Sequence, residues 1–257
     1  MHLINLKNNN IHTDLLLDEK INKKHNVKEE KINDIKVTNS IKNNYLYTTI
    51  SFKDITDKDK FNEVEKVLIN ELSRYIKPTR EDTILIIGLG NRNSTPDSLG
   101  PKVIDNILVT RYLFELGDVE EGYSNVCSLI PNVTGNTGIE TASIIRSIIN
   151  DIKPSQVLII DSLKTNIKER LNKTIQITNS GIHPGSGIGN IRQELNSKNM
   201  NCKIIALGIP TVIQIENNSN NFIVCTVDID YIIDKLSLLI SNSINKLLHT
   251  NYIRQNN

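Results

Sequence analysis

Apolar positions along the chain occur either in short continuous runs or in stripes with the period of a helix. Continuous runs predict strands covered on both faces, whereas the stripes predict amphipathic helices. The predicted strands are Tyr45–Phe52, Thr83–Ile87, Val126–Ile130, Gln156–Ile160, Thr174–Thr178 as an edge strand, Lys203–Leu207 and Phe222–Thr226. The predicted helices run from Asp57 or Asp59 to before Pro78, over 99–116, over 139–150 and from Asp228 onward. This alternation indicates an α/β fold, with a mostly parallel twisted sheet between two helical layers.

The first 45 or so residues differ from the rest, because they are rich in Asn and Lys and carry only short apolar clusters. We interpret them as an extension rather than a core segment. The full chain has 257 residues, of which 38% are hydrophobic, and this favours a single domain with one sizeable core. The tail after His249 is expected to be frayed.

Charge and apolar runs exclude several classes of partner. The net charge of +1 gives no reason to expect direct binding of nucleic acid or of an acidic membrane surface. No apolar run approaches the roughly 20 residues that span a bilayer, and Met1–Asn10 lacks the apolar stretch of a signal peptide. Cys127, Cys202 and Cys225 lack metal-ligand spacing, which indicates buried thiols in a reducing compartment. We therefore expect a soluble intracellular protein without a disulfide or zinc site.

Two acidic residues follow predicted strands. The segment G-L-G-N-R-N-S-T-P-D leads from the strand Thr83–Ile87 to Asp97 at a helix start, and Asp161 comes directly after Gln156–Ile160. Open α/β sheets place active sites at the carboxyl ends of their strands, so two carboxylates there form a natural acid/base pair. Such a pair can share a proton, with one acid activating water while the other polarises a carbonyl. This pattern predicts a hydrolase.

Simpler explanations exist for each acid. Asp97 alone is more typical of a helix N-cap, and Asp161 alone could equally be a cap or an ion-pair partner. A phosphate-binding loop is disfavoured, because G-x-G-x-x-G spacing is absent and Asp97 would oppose the anion. The nucleophile elbow G-x-S-x-G is also absent. Because two acids follow predicted strands, catalysis is favoured over these simpler explanations.

Two further loops are rich in glycine: P-N-V-T-G-N-T-G and G-I-H-P-G-S-G-I-G-N. They could receive an extended substrate or simply form tight turns. His183, in the second loop, could shuttle protons or bind metal, but a lone His beside Pro is more often structural. Glu140, near a helix start, is more typical of a favourable charge on the helix dipole. Asn91, His183 and Glu140 remain possible site-shaping residues.

The same segments closely resemble the germination protease family of endospore-forming bacteria. The resemblance rests on G-L-G-N-R-N-S-T-P-D-S-L-G-P-K-V, D-S-L, T-I-Q-I-T-N-S-G-I-H-P-G-S-G-I-G-N and L-G-I-P-T-V, which occur in the family's order. It extends from about residue 10 to 249 and is densest over 83–212. One departure follows P-T-V, where the family's V-D-A is replaced by Ile213-Gln214-Ile215, and the C-terminal region is shorter than in typical members.

The resemblance implies an endopeptidase that degrades small acid-soluble spore proteins during germination, on a fold similar to that of the hydrogenase maturation proteases. The family's catalytic aspartates fall on Asp97 and Asp161. Family members are homotetramers made as self-processing zymogens, which implies a propeptide of residues 1–14, cleavage between Asp14 and Leu15, and a peptidase domain over 15–257. The expected location is the cytoplasm of the forespore and spore core.

The resulting hypothesis is an aspartic-type endopeptidase that needs no cofactor or metal. One rival is a metal-assisted hydrolase, in which His183 completes a site with the two aspartates, as related maturation proteases use acids and a histidine. Another rival is a catalytically silent protein that binds spore proteins without cutting them. Both remain open at the level of sequence.

Overall fold

The computed structural model describes residues 26–182, 193–217 and 220–250. Within these ranges nine strands form one sheet and seven α-helices flank it. The strands are β1 (Asn26–Ile32), β2 (Ile35–Lys42), β3 (Tyr45–Ser51), β4 (Thr83–Gly88), β5 (Asn125–Leu129), β6 (Gln156–Thr165), β7 (Thr174–Thr178), β8 (Lys203–Asn217) and β9 (Asn220–Val224). The helices are α1 (Lys58–Leu72), α2 (Leu99–Ile104), α3 (Arg111–Leu116), α4 (Thr134–Thr137), α5 (Thr141–Ile152), α6 (Ser197–Met200) and α7 (Ile229–Leu248). An α/β fold, as predicted, is confirmed.

The sheet is mixed rather than mostly parallel, so that part of the prediction is wrong. Its strand order is β1-β2-β3-β7-β8-β6-β4-β5, and β9 pairs with the far end of β8. Only β5-β4-β6-β8 are parallel neighbours, whereas the pairings β1-β2, β2-β3, β3-β7, β7-β8 and β8-β9 are antiparallel. Hairpins produce antiparallel pairs, because a short turn reverses the chain, and β1-β2-β3 are joined in this way. β7 is an interior strand between β3 and β8, not the predicted edge strand.

The N-terminal extension predicted up to about residue 45 is wrong from residue 26 onward, because β1 and β2 lie there. Asn33, Asn43 and Asn44 have positive φ angles of 53°, 52° and 67° in the turns that follow β1 and β2. Asparagine tolerates this left-handed conformation better than most residues, which suits it to tight hairpin turns. Part of the Asn-rich composition therefore encodes turns rather than an unstructured extension.

The parallel strands bury apolar side chains on both faces, as their continuous apolar runs predict. On β4, Ile84 and Ile86 pack with residues of α1, α2 and α7, whereas Leu85 and Ile87 pack with residues of α5. This alternation follows from the two-residue period of a strand. In the described part of the chain, no helix has both the length and the apolar character required to cross a membrane.

The helix predicted over 99–116 is instead two short helices, α2 and α3. Between them, the Asn245 side chain of α7 accepts a hydrogen bond from the Leu108 amide at 3.0 Å and donates one to the Asn106 carbonyl at 2.9 Å. These contacts satisfy backbone groups that a continuous helix would pair internally. The break is thus stabilised by a residue about 140 positions away, which a local apolar stripe does not reveal.

Candidate active site

The site is built around the carboxyl end of β4. In the parallel register Gly88, the last residue of β4, lies opposite Ile160 of β6. The Leu89 amide then donates a hydrogen bond to the Ile160 carbonyl at 2.8 Å. Asp161 is therefore the first residue of β6 that lies beyond the end of β4. The sequence predicted that Asp161 would end its own strand, but β6 continues beside β8 to Thr165, so the strand end beside Asp161 belongs to β4.

Asp161 is a buried acid within a strand. It is only 6% exposed, and its Oδ1 accepts a hydrogen bond from the Ser162 amide at 2.9 Å. Its position in β6 is fixed on the other side by pairing with Gly208 of β8. Burying a carboxylate costs free energy unless hydrogen bonds or a paired charge offset it, and the Ser162 amide supplies one such bond.

Asp97 lies in a one-turn 3₁₀ helix, Thr95–Asp97, in the loop between β4 and α2. The Asn91 amide donates hydrogen bonds both to Asp97 Oδ2, at 2.9 Å, and to the Asp97 carbonyl, at 3.0 Å. The N-cap residue of α2 is Ser98, and α2 has no side-chain cap hydrogen bond. The N-cap position that the sequence offered as the simplest role of Asp97 is thus held by Ser98.

Gly90 makes the close approach between the strand end and Asp97 possible. Its φ angle is +118°, and a Cβ atom built there would lie 2.0 Å from the Asp97 carbonyl oxygen and 3.2 Å from Asp97 Oδ1. A side chain at this position would collide with the backbone that carries the acid, so only glycine fits. The sequence analysis did not single out Gly90 within its G-L-G-N turn.

The turn Leu89-Gly90 thus brings the two predicted acids to one edge of the sheet. Leu89 is bonded to the residue before Asp161, and Gly90 packs against Asp97. The carboxylate of Asp97 is oriented by a backbone amide, whereas that of Asp161 is buried in the strand next to the turn. Two carboxylates in different surroundings can divide the roles of general acid and general base.

Asn91 also connects this turn to the loop P-N-V-T-G-N-T-G. The Asn136 Nδ2 group, on α4, donates hydrogen bonds to Asn91 Oδ1 at 3.3 Å and to Asn132 Oδ1 at 2.9 Å. Since β5 is parallel to β4, this loop leaves the sheet at the same edge as the acids. The structure thus brings together Asn91, one of the three predicted site-shaping residues, and the first of the two further glycine-rich loops.

Glu140 occupies the N-cap position of α5, at the end of that loop, and makes no side-chain cap hydrogen bond. Among the described residues, its Oε1 atom is buried and has no hydrogen-bond partner. The same is true of Thr134 Oγ1 on α4 and of Ser162 Oγ, next to Asp161. Three more buried polar atoms without a partner among the described residues lie elsewhere, on Glu65, Asn125 and Asn172. Buried polar atoms are normally paired, so the three beside the acids are available to contact a polar ligand.

A second residue that the sequence analysis did not single out is Thr211 of β8. Its side-chain hydroxyl donates a hydrogen bond to the Pro96 carbonyl, at 2.6 Å, and Thr211 is fully buried. The sequence did contain a signal for an irregularity next to Thr211, because a proline such as Pro210 within an otherwise buried strand is typical of a bulge or an edge.

Cysteine chemistry has little support at this site. Cys127 is buried, Cys202 is half-buried and Cys225 is exposed, so the expectation of buried thiols is wrong for Cys225. Burial raises the pKa of the Cys202 thiol to about 11 and also raises the pKa of Cys127. Neither of these two thiols is prepared as a thiolate nucleophile.

His183, Asp14 and Leu15 lie outside the described residues, so their predicted roles stay predictions. Within the ranges that the structure describes, no group of three or more His, Cys, Asp and Glu side chains could hold a metal ion. Since His183 was the histidine of the metal-assisted alternative, that alternative is not tested by this geometry.

Comparison with known proteins identifies close relatives. The family model of the germination protease, Peptidase_A25, matches residues 5–220. The chain is 43% identical over 197 residues to the germination protease of Clostridium acetobutylicum, an alignment that covers 74% of this chain and 58% of that relative. It is 45% identical over 186 residues to that of Clostridium tetani (71% and 58%) and 45% identical over 175 residues to that of Bacillus cereus (66% and 48%). The alignments thus span about half of these relatives' length.

Proposed function

Because this chain belongs to the germination protease family, we propose that it is an endopeptidase that initiates degradation of small acid-soluble spore proteins during germination. The observation that carries the proposal is the placement of Asp97 and Asp161 on the two sides of the turn that ends β4. Peptide hydrolysis needs a group that removes a proton from water and a group that polarises the scissile carbonyl. The two acids supply both.

In the proposed mechanism one carboxylate takes a proton from a water molecule while the other, protonated, donates a hydrogen bond to the peptide carbonyl oxygen. The water oxygen attacks the carbonyl carbon, and the resulting tetrahedral intermediate loses the amine. The proton taken from water leaves with that amine, so the pair returns to its starting state with one proton between its members. Interacting acids titrate as a unit, and for this reason the two roles are assigned to the pair.

The remaining finer features follow from the family and are proposals for this chain. Residues 1–14 form a propeptide that the enzyme removes by cutting between Asp14 and Leu15, leaving a single peptidase domain over 15–257. The mature enzyme is a homotetramer in the cytoplasm of the forespore and spore core and needs no cofactor. Its parallel strands form the centre of a three-layer α/β/α core similar to that of hydrogenase maturation proteases, which the two apolar clusters on opposite faces of β4 support.

The test is to mix the purified chain with a small acid-soluble spore protein and to follow the substrate by mass spectrometry, with and without a strong chelator. We expect discrete internal cleavage products at equal rates in both reactions. Loss of cleavage with the chelator, restored by added metal ion, would favour the metal-assisted hydrolase. An intact substrate that co-elutes with the chain would favour the catalytically silent binding protein. The first result contradicts the metal-free acid-pair mechanism, and the second contradicts the proposed peptidase activity.

A further inference from the structure

β8 contains a bulge beside the proposed acid pair. Along the parallel pairing of β6 and β8, Leu163 lies opposite Pro210, but the next residue, Lys164, lies opposite Val212. Thr211 is therefore an extra residue without an opposite partner in β6. Bulges re-aim side chains and are over-represented next to active sites. Proline suits the adjacent position, because it has no amide to contribute to the ladder.

The bulge directs the Thr211 side chain to the turn that carries Asp97. Its hydroxyl donates a hydrogen bond to the Pro96 carbonyl at 2.6 Å, and the residue has no exposed surface. Pro96 immediately precedes Asp97 in the 3₁₀ helix. Meanwhile β8 is paired with β6 at Asp161. A single residue of β8 thus connects the strand beside one acid to the turn that holds the other.

We propose that Thr211 is a positioning residue that fixes Asp97 relative to Asp161. The inference rests on the proposed function, because it assigns Thr211 a role in that same site. The turn is shaped internally by short-range hydrogen bonds, such as Ser94 amide to Asn91 carbonyl and Asp97 amide to Ser94 carbonyl. Such bonds set the shape of the turn. Its start is anchored to β6 by the Leu89 amide, and Thr211 anchors its Asp97 end to β8. Threonine suits this role, because its branched side chain has few rotamers and its hydroxyl can donate.

Replacing Thr211 by Val keeps the shape of the side chain and removes the donor, whereas Thr211→Ser keeps the donor. We expect Thr211→Val to lower kcat for a spore-protein peptide by about 10- to 100-fold with little change in KM, because displaced catalytic groups lose rate rather than binding. Thr211→Ser should restore kcat to within about threefold of the unmodified enzyme. An equal loss in both variants would overturn the role of the hydroxyl.

Thr48→Val is the matched control. Thr48 is also fully buried, and its hydroxyl is bonded to the Asn39 side chain and lies 2.9 Å from the Tyr75 hydroxyl. The substitution removes the same donor from β3, outside the strands that flank the acids. At a temperature well below unfolding it should leave kcat within about twofold of the unmodified enzyme. If Thr48→Val lowers kcat as much as Thr211→Val does, the effect is general loss of stability and the inference fails.

Hydrogen exchange of the Asn91 and Asp97 amides gives a readout that does not need catalysis. Both amides are hydrogen-bonded within the turn. We expect Thr211→Val to speed their exchange and Thr48→Val to leave it unchanged, because only the first releases the turn from β8. Unchanged exchange in Thr211→Val would overturn the inference. A spore protein left uncut by the unmodified enzyme would defeat the proposed function, while exchange would still decide whether Thr211 anchors the turn.

Discussion

The backbone amide of Asn91 donates a hydrogen bond to the Asp97 carboxylate, with 2.9 Å between the nitrogen and Oδ2. A backbone donor is held by the fold, so it fixes the orientation of the acid without a mobile side chain. Asn91 in turn accepts a hydrogen bond from the Asn136 side chain. The orientation of Asp97 is therefore linked to the loop after β5 as well as to the end of β4.

The first prediction concerns Gly90, where any Cβ atom meets the Asp97 backbone. We expect Gly90→Ala to abolish peptide cleavage and to destabilise the fold by about 1–3 kcal/mol from backbone strain alone, with the collision adding to this. Gly117→Ala is the control, because Gly117 also has a positive φ, of +75°, but open space around its Cβ position. The Gly117→Ala substitution should lower the free energy of unfolding by about 1–2 kcal/mol and leave peptide cleavage intact. Denaturant unfolding measures the free energy of unfolding, and a peptide assay measures the cleavage rate. An active Gly90→Ala enzyme would contradict the account.

The second prediction concerns Glu140, whose buried Oε1 has no partner among the described residues. We expect Glu140→Ala to raise KM for peptide severalfold, because a substrate N–H then loses its acceptor. Removing an unpaired acceptor costs little, so the free energy of unfolding should change by no more than about 1 kcal/mol. Asp59→Ala, in the first turn of α1, is a matched loss of charge that should leave KM unchanged. Marked destabilisation with an unchanged KM would show that Glu140 is only structural.

The third prediction is a loss of stability in acid through His249. This residue is fully buried; its Nδ1 accepts from the Ser124 amide and its Nε2 lies 3.2 Å from the Leu108 carbonyl. Such a pair of contacts suits a neutral ring with the proton on Nε2. Burial lowers the pKa of His249 below its ordinary value of 6.5. The unfolded chain therefore binds the proton first as the pH falls.

The contribution of His249 to stability is thus complete above the unfolded pKa of 6.5 and is lost as the pH falls from there through the lower folded-state pKa. Each unit of pKa difference corresponds to about 1.4 kcal/mol. Urea unfolding at about pH 7.5 and about pH 5.5 should show a smaller fall in stability for His249→Gln than for the unmodified chain. If stability falls equally in both chains, His249 is not a source of the loss of stability in acid.

The fourth prediction is self-processing. Incubation of the purified chain should release residues 1–14 and leave Leu15 as the new N-terminus, as determined by intact mass and N-terminal sequencing. The Asp161→Asn chain should remain uncut under the same conditions, because the proposed cleavage uses the same acids. Loss of the same residues from the Asp161→Asn chain would assign the cut to another protease.

Sequence reasoning found the edge of the sheet that carries the two acids because its signals are local. β4 and β6 are continuous apolar runs, and Asp97 and Asp161 are the acids that come after or within them. A strand that is buried on both faces shows a continuous apolar run in the sequence, whatever its neighbours are. The segment Asn26–Lys42 was misassigned for the opposite reason, since β1 is mostly polar, β2 carries the polar residues Thr38 and Ser40 at buried positions, and its asparagines resemble linker composition.

Other features depend on contacts between distant parts of the chain. The break between α2 and α3 depends on Asn245, and the place of β7 inside the sheet depends on pairing with both β3 and β8. Pro210 signals a bulge or an edge in the sequence, but only the register of β6 and β8 shows that Thr211 is the extra residue. The parallel strands read as continuous apolar runs, so they lack the alternation that would fix the register between β6 and β8, which explains why Thr211 did not stand out beside the acids.

The most direct measurement of the central claim is the rate at which Asp97→Asn and Asp161→Asn variants cleave a small acid-soluble spore protein. Asp151→Asn, on an exposed position of α5, is the control for the chemical change. We expect each active-site variant to lose about 100-fold or more in kcat, since each removes one member of the acid/base pair, and the control to match the unmodified enzyme. Full activity in either Asp97→Asn or Asp161→Asn would contradict the acid-pair mechanism.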